Sequence, residues 1–384
     1  MNPIYLDHAA GTSILPEVKT LVAAYAYFGN PSSSHALGIA AKGEIDSVRV
    51  LCRDIFRVGL DQVLFTSGAT ESIHLAIIGS FLGREPDDVR KKVLVSPLCH
   101  SCIWNALAFL SEFFDVEVVY LPLDSEGLIV TESITEDLLS DVFMVVVEHG
   151  NSEFGHLQPV AKIGKRILRS ASDLEKVRRP LFLVDAAASA VTEKLSLEHQ
   201  KCDLLVLSAE KIGGIAGAGL LIKHESVRLQ VIQGGSQEFG YRGGTENTLG
   251  IMALGKALEQ KELQRGTDRI HLKELNLWLR KELESLDLDL VISTPKESFL
   301  PHVLHFFLPE KQGSLMVQKA DLAGFCISSG SACSSGSVEV SKAHKILSKK
   351  LELEPLSGIR LSFSSETTKE ELEAFIVWLQ TVMK

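Results

Sequence analysis

Leu181-Phe-Leu-Val-Asp185 and Leu204-Leu-Val-Leu-Ser-Ala-Glu-Lys211 decide how this chain folds. Each begins with four apolar residues, too few for a helix, and each ends on polar or charged groups. Short, continuous apolar runs of this kind are the pattern of buried strands in a parallel sheet. Lys211 follows Asp185 by 26 positions, a spacing that suits one crossover between neighbouring strands. An acid and an amine are therefore expected to share one crevice.

Working outward, similar runs occur at Val63-Leu-Phe65, Lys92-Val-Leu-Val95 and Val142-Phe-Met-Val-Val-Val147. They alternate with helical patterns from about residue 45 to 225, the signature of an α/β domain with a largely parallel sheet. Reactive residues follow the runs: Thr66-Ser-Gly-Ala-Thr70, Cys99-His100 and Glu148-His-Gly-Asn-Ser-Glu153. Open parallel sheets bind their ligands at the carboxyl ends of their strands, so these segments should converge. From Gly250 to Leu286 the pattern becomes helical, with Leu272, Leu275 and Leu279 on one face. The remainder, ending in a helix near Lys369 to Met383, reads as a smaller α+β domain. The expected division is a large domain over 16–250 and a small one over 1–15 and 251–384. The first fifteen residues read as an extended arm of unfixed placement.

The 384 residues, 45% hydrophobic and 23% charged, are enough for more than one core. The longest apolar stretch, Ile212 to Ile222, carries four glycines and is far shorter than the roughly 20 residues a bilayer requires, so no membrane span is expected. The N-terminus lacks a basic patch followed by an apolar run, which predicts a cytoplasmic protein. A net charge of −10 argues against a general nucleic-acid surface. The six cysteines read as scattered, with neither a disulfide framework nor a metal-binding group. Cys333 stands apart in Ser328-Ser-Gly-Ser-Ala-Cys-Ser-Ser-Gly-Ser337, a run of small residues that reads as an exposed loop, about 326–340, presenting a thiol.

Thr66-Ser-Gly-Ala-Thr-Glu-Ser72 follows a strand and opens a helix expected over Glu71 to Ser80, which makes it a candidate phosphate cup at a helix N-terminus. With Asp185 and Lys211 it forms the set that pyridoxal phosphate requires: a lysine for the Schiff base, a carboxylate for the pyridine nitrogen and a phosphate site. His100 is placed to stack on the ring.

Tyr5-Leu-Asp-His-Ala-Ala10, Phe28-Gly-Asn-Pro-Ser-Ser33, Phe65-Thr-Ser-Gly-Ala-Thr-Glu-Ser72, Arg242-Gly-Gly-Thr-Glu-Asn247, Ser329-Gly-Ser-Ala-Cys-Ser-Ser335 and Ile359-Arg-Leu-Ser362 run in order along the chain. Together they resemble the signature segments of the NifS/IscS-type cysteine desulfurases. The resemblance implies the type I fold of pyridoxal-phosphate transferases, with a mainly parallel seven-stranded sheet and a smaller α+β C-terminal domain. It implies that Lys211 is the Schiff-base lysine, Asp185 the partner of the ring nitrogen and His100 the stacking imidazole and acid/base. Ala69, Thr70 and Ser208 would hold the phosphate, Thr245 would reach it from the other subunit of a homodimer, and Arg360 and Asn30 would bind L-cysteine. Cys333 would take the sulfur as a persulfide and pass it to an acceptor protein in iron–sulfur cluster assembly or thiolation.

Four positions depart from the pattern. Ser152 replaces an asparagine that contacts cofactor and substrate, Ala188 a glutamine at the ring oxygen, Glu210 a histidine at the phosphate, and Phe239 a common arginine. A carboxylate at position 210 should repel a phosphate unless protonated, turned away or paired. The residues alone leave three chemistries open: an active desulfurase, a regulatory subunit with a weakened cofactor site, and another class V reaction such as transamination or selenocysteine cleavage.

Overall fold

The computed structural model describes residues 3–26, 29–172, 178–230, 234–309, 311–329 and 340–383. A two-residue strand, β1 (Ile4–Tyr5), precedes a seven-stranded sheet built from β2 (Val63–Thr66), β3 (Lys92–Val95), β4 (Glu117–Tyr120), β5 (Val142–Glu148), β6 (Leu181–Asp185), β7 (Leu204–Ser208) and β8 (Gly219–Lys223). Its order is β2-β8-β7-β6-β5-β3-β4. The block from β7 to β4 is parallel, and β8 runs antiparallel to both neighbours. Asp185 ends β6 and Lys211 follows the end of the neighbouring β7 by three residues, so the two strands are adjacent as the spacing predicts.

Alternation along the strands divides the side chains between two layers. Val145, Val147, Phe182, Val184, Leu205 and Leu207 pack on one face against Ile45, Val48 and Cys52 of the helix Ala36–Phe56 and Ile251 and Leu254 of the helix Thr248–Ser285. Met144, Val146, Leu183, Leu204 and Val206 pack on the other face against Ile103, Leu107 and Leu110 of the helix Ser101–Phe114. Carried one step further, the same alternation sends Glu148, Asp185 and Ser208 to this second face, side by side at the carboxyl ends of β5, β6 and β7.

A second, antiparallel sheet has the order β12-β10-β9 and is formed by β9 (Val291–Ile292), β10 (Val303–Phe307) and, after the short β11 (Phe325–Cys326), β12 (Gly358–Ser362). Leu272, Leu275 and Leu279 of the 38-residue helix pack on it with Phe306, Phe363 and Phe375. The terminal helix spans Lys369–Met383, as the sequence indicates. Among the described residues no helix is long and apolar enough to cross a membrane.

The structure differs from the sequence reading in three places. The apolar run Ile212 to Ile222 contains β8, whose Gly219 passes so close to the cup turn that a Cβ there would lie 2.5 Å from the Gly68 backbone. The helix of the cup starts at Ala69, turns π-helical over Leu75–Gly79 and resumes at Ser80. The arm has a fixed place: β1 pairs in parallel with β11, and Asp7 bridges to Ser362.

Candidate active site

Residues 7–10 of the arm connect two functional groups. The Lys211 ammonium, in the 3-10 turn that follows β7, donates to the carbonyls of Ala9 at 3.0 Å and Ala10 at 2.7 Å. Arg360, in β12 and 4% exposed, donates from Nη2 to Asp7 Oδ1 at 2.6 Å and from Nη1 to the Ser152 carbonyl at 3.1 Å. Asp7 and Ala10 are three residues apart, at most about 11 Å of chain, so one short segment of the arm holds both the amine and the guanidinium. Arg360 Nε is buried and has no hydrogen-bond partner among the described residues, a donor suited to a substrate carboxylate.

Asp185 is 7% exposed, and its Oδ1 accepts from the Ala187 amide at 3.0 Å. Burial raises its proton affinity, while that hydrogen bond and the charges of His100 and Lys211 act in the opposite direction. His100 caps the helix Ser101–Phe114; its Nδ1 accepts from the Cys102 amide at 3.2 Å and lies 3.1 Å from Cys102 Sγ. His100 and Lys211 therefore both act electrostatically on Asp185.

The cup is formed by the turn from β2 into the helix Ala69–His74. Ala69 N donates to Ser208 Oγ at 3.4 Å, which joins the turn to β7. Two carboxylates line this end. Glu71 accepts from Ser67 N at 2.6 Å and from Arg242 Nε at 2.9 Å; burial works to raise its proton affinity, but these hydrogen bonds prevail and hold it below the usual range. Glu210 Oε2 takes the Ser208 hydroxyl at 2.5 Å. It is thus turned toward the cup and occupies a donor that a phosphate would use. Thr70 and Thr245 are exposed.

The other departures have local explanations. Ser152 meets Arg360 through its backbone carbonyl, a contact that any residue can make. Ala188 packs beside Ala9, Leu300 and Val303, an apolar pocket in place of a polar contact. The Phe239 ring lies 5.0 Å from the Arg49 guanidinium, and Phe65 covers the same group at 4.7 Å. Arg49 also pairs with Glu238, which accepts from the Phe65 amide at 2.8 Å. An arginine at position 239 would set a second cation against the first. Asn30 is exposed, and its side-chain oxygen accepts from the Ser32 amide at 2.9 Å. Cys333 lies outside the described residues.

Two groups went unnoticed in the sequence. Cys99-His-Ser-Cys102 has C-x-x-C spacing, which the reading of the cysteines as scattered passed over. Cys99 Sγ donates to Glu148 Oε2 at 2.9 Å, and Ser96 Oγ donates to Glu148 Oε1 at 3.0 Å. Behind Arg360, its register partner His305 shares one proton with His344, their Nε2 atoms 3.1 Å apart. His344 Nδ1 reaches Glu153 Oε2 at 2.8 Å, and Ser341 Oγ donates to the same atom at 2.5 Å. Nothing in their spacing marks residues 153, 305 and 344 as a group, because three distant segments, the turn after β5, strand β10 and the helix Lys342–Leu351, bring them together.

This donor set fits pyridoxal phosphate at the ring, amine and substrate ends; Glu210 competes with it at the phosphate end. Comparison with known proteins agrees with the fit. The aminotransferase class-V family model matches residues 4–375. A curated cysteine desulfurase IscS of Dictyoglomus turgidum is 30% identical over 99% of this chain and 94% of its own length. The cysteine desulfurase IscS of Vibrio vulnificus is 33% identical over 97% and 90%. A solved structure titled NifS-like protein superposes with a TM-score of 0.87 at 26% identity, covering 99% of both chains.

Proposed function

The chain belongs to the class-V aminotransferase family and is a cysteine desulfurase, and from that premise we propose how its residues divide the work. When bound, pyridoxal phosphate supplies a covalent anchor for the amino group of L-cysteine and a sink for its electrons. Lys211 anchors the cofactor and moves protons at its Nζ. Asp185 holds the ring nitrogen, and His100 stacks on the ring and exchanges a proton with the substrate. Arg360 and Asn30 orient the substrate, with Asp7 ceding part of the guanidinium to its carboxylate. The Cys333 thiolate attacks the sulfur of the substrate: an S–S bond forms, the Cβ–S bond breaks, and the freed carbon takes a proton to give L-alanine. The protein is left with a persulfide for an acceptor protein of iron–sulfur assembly or thiolation. The reading extends to a cytoplasmic homodimer in which Thr245 completes the partner's phosphate site beside Ala69, Thr70 and Ser208, and to the division 16–250 against 1–15 and 251–384.

The observation that carries this reading is the tether of Lys211 and Arg360 to residues 7–10 of one arm. Glu210 on the Ser208 hydroxyl favours a second reading, a desulfurase-like subunit that holds its cofactor weakly. Purified protein decides between them. A visible cofactor band fixed to Lys211 by borohydride, with sulfide released from L-cysteine, is expected; a colourless, inactive protein in excess pyridoxal phosphate would establish the second reading. Cys333→Ser should keep the band and bind cysteine, yet mass spectrometry should find no persulfide.

A further inference from the structure

Glu148 is a buried carboxyl that the reaction above leaves without a task. It ends β5, in register with Asp185 at the end of β6, and both side chains project to the same face of the sheet. Ser96 and Cys99 fix its two oxygens from the segment after β3. The Cys99 thiol is pushed well above its usual range, by burial first and then by Glu148, so it remains a donor. The charged groups around the pair are the carboxyls themselves, with His100 and Lys211 acting on Asp185 from the neighbouring strand ends. No cation among the described residues forms an ion pair with Glu148.

Two carboxyls side by side, taken out of water and without a dedicated cation, do not both ionise easily; the first charge raises the cost of the second. We propose that Glu148 is a positioning residue that sets the charge of Asp185, the two carboxyls acting as one acid pair at the ends of β5 and β6. Below neutral pH Glu148 keeps its proton, and Asp185 is the single charge available to the cofactor's ring nitrogen. Above neutral pH Glu148 ionises, and its charge favours cations close by, the protonated ring nitrogen and the protonated Lys211 nitrogen among them. Burial, opposed by the Ser96 and Cys99 hydrogen bonds and reinforced by Asp185, pushes Glu148 up to about 7, inside the working range. The role rests on the proposed function, since it needs a cofactor against Asp185.

Glu148→Gln keeps the shape and removes the titration; its amide oxygen accepts from one of the two donors, and the other, Ser96 or Cys99, must turn to accept from the amide NH2. In cofactor-loaded protein, the pH midpoint of the visible absorption band should fall by about half a unit or more, because a cation nearby loses its counter-charge. Ser96→Ala, a milder change that keeps the fold, should move the midpoint the same way by less, because losing a donor to the ionised carboxylate keeps Glu148 neutral to higher pH. The cofactor-free protein gives an independent readout. A carboxyl raised in the folded state binds more protons there than in the unfolded chain between pH 4.5 and about 7. Its contribution to stability is therefore present at the acid end and lost as pH rises across that window. The difference in denaturant midpoint between wild type and Glu148→Gln should change across it, and Asp185→Asn should reduce that change.

An unshifted band in Glu148→Gln, or a stability difference constant with pH, overturns the proposal. Wild-type protein that takes up no pyridoxal phosphate refutes the proposed function and with it this role, and the cofactor-free measurement then reports on the acid pair alone.

Discussion

The two ends of the crevice are built differently. At the substrate and ring end, Arg360, Asp185 and Glu148 are buried, and each is held by named donors or acceptors on neighbouring strands. At the phosphate end, Ser67 and Thr70 are exposed while Ser208 is buried, and two carboxylates, Glu71 and Glu210, occupy donors of the cup. A buried charge left without its partner is costly, so a change at the first end threatens the fold as well as the reaction. Exposed groups exchange partners with water at little cost. The departures from the family pattern fall at both ends: Ser152 and Ala188 stand at the first, where a backbone carbonyl and an apolar pocket take the place of polar side chains, and Glu210 and Phe239 at or near the second.

The sharpest test of the ring end is Lys211→Ala. Sulfide release should fall by at least about 1000-fold, because covalent attachment and a proton carrier disappear together. Its thermal midpoint should stay close to that of the wild type, and sulfide release at a near wild-type rate would show that the reaction does not run through this lysine. Arg49→Ala tests the support of the phosphate end. It leaves the Glu238 carboxylate buried without its cation and removes the contact with Phe239, and a loss of about 3–5 kcal/mol by denaturant titration is expected.

Arg360→Lys separates binding from chemistry. A lysine keeps the charge for Asp7 but loses the planar fork, so KM for L-cysteine should rise by about 10- to 100-fold with a smaller change in kcat. An unchanged KM would place the substrate carboxylate elsewhere. The smallest effect is expected at Glu210. Glu210→Gln removes a negative charge from the cup and loosens its hold on the Ser208 hydroxyl; cofactor affinity, followed by fluorescence titration, should improve by about 3- to 10-fold. Weaker binding in this variant would mean that the carboxylate helps to hold the cofactor.

Much of this site is legible in the sequence, for a physical reason. A strand buried on both faces must be apolar throughout, so the polar residues where the apolar run stops mark the strand end. Asp185, Lys211 and the cup turn are identified in this way before any coordinate is known. The spacing of Asp185 and Lys211 also gives the adjacency of β6 and β7. What the sequence leaves open depends on contacts between residues far apart in the chain. Glu148 follows Val147 as one more strand-end acid; only the register of β5 against β6 makes it the neighbour of Asp185. The arm carries no periodicity, and its position is settled by pairing with β11 and by the hold of Asp7 on Arg360, 353 residues away. Glu210 lies in the sequence as an expected repulsion, and its tie to Ser208 is a choice of side-chain orientation made in three dimensions. Local composition thus fixes which residues stand at strand ends, since burial acts on each run separately. Which of them stand side by side, or share a guanidinium or a hydroxyl, was decided by strand order and register, where the long-range contacts are made.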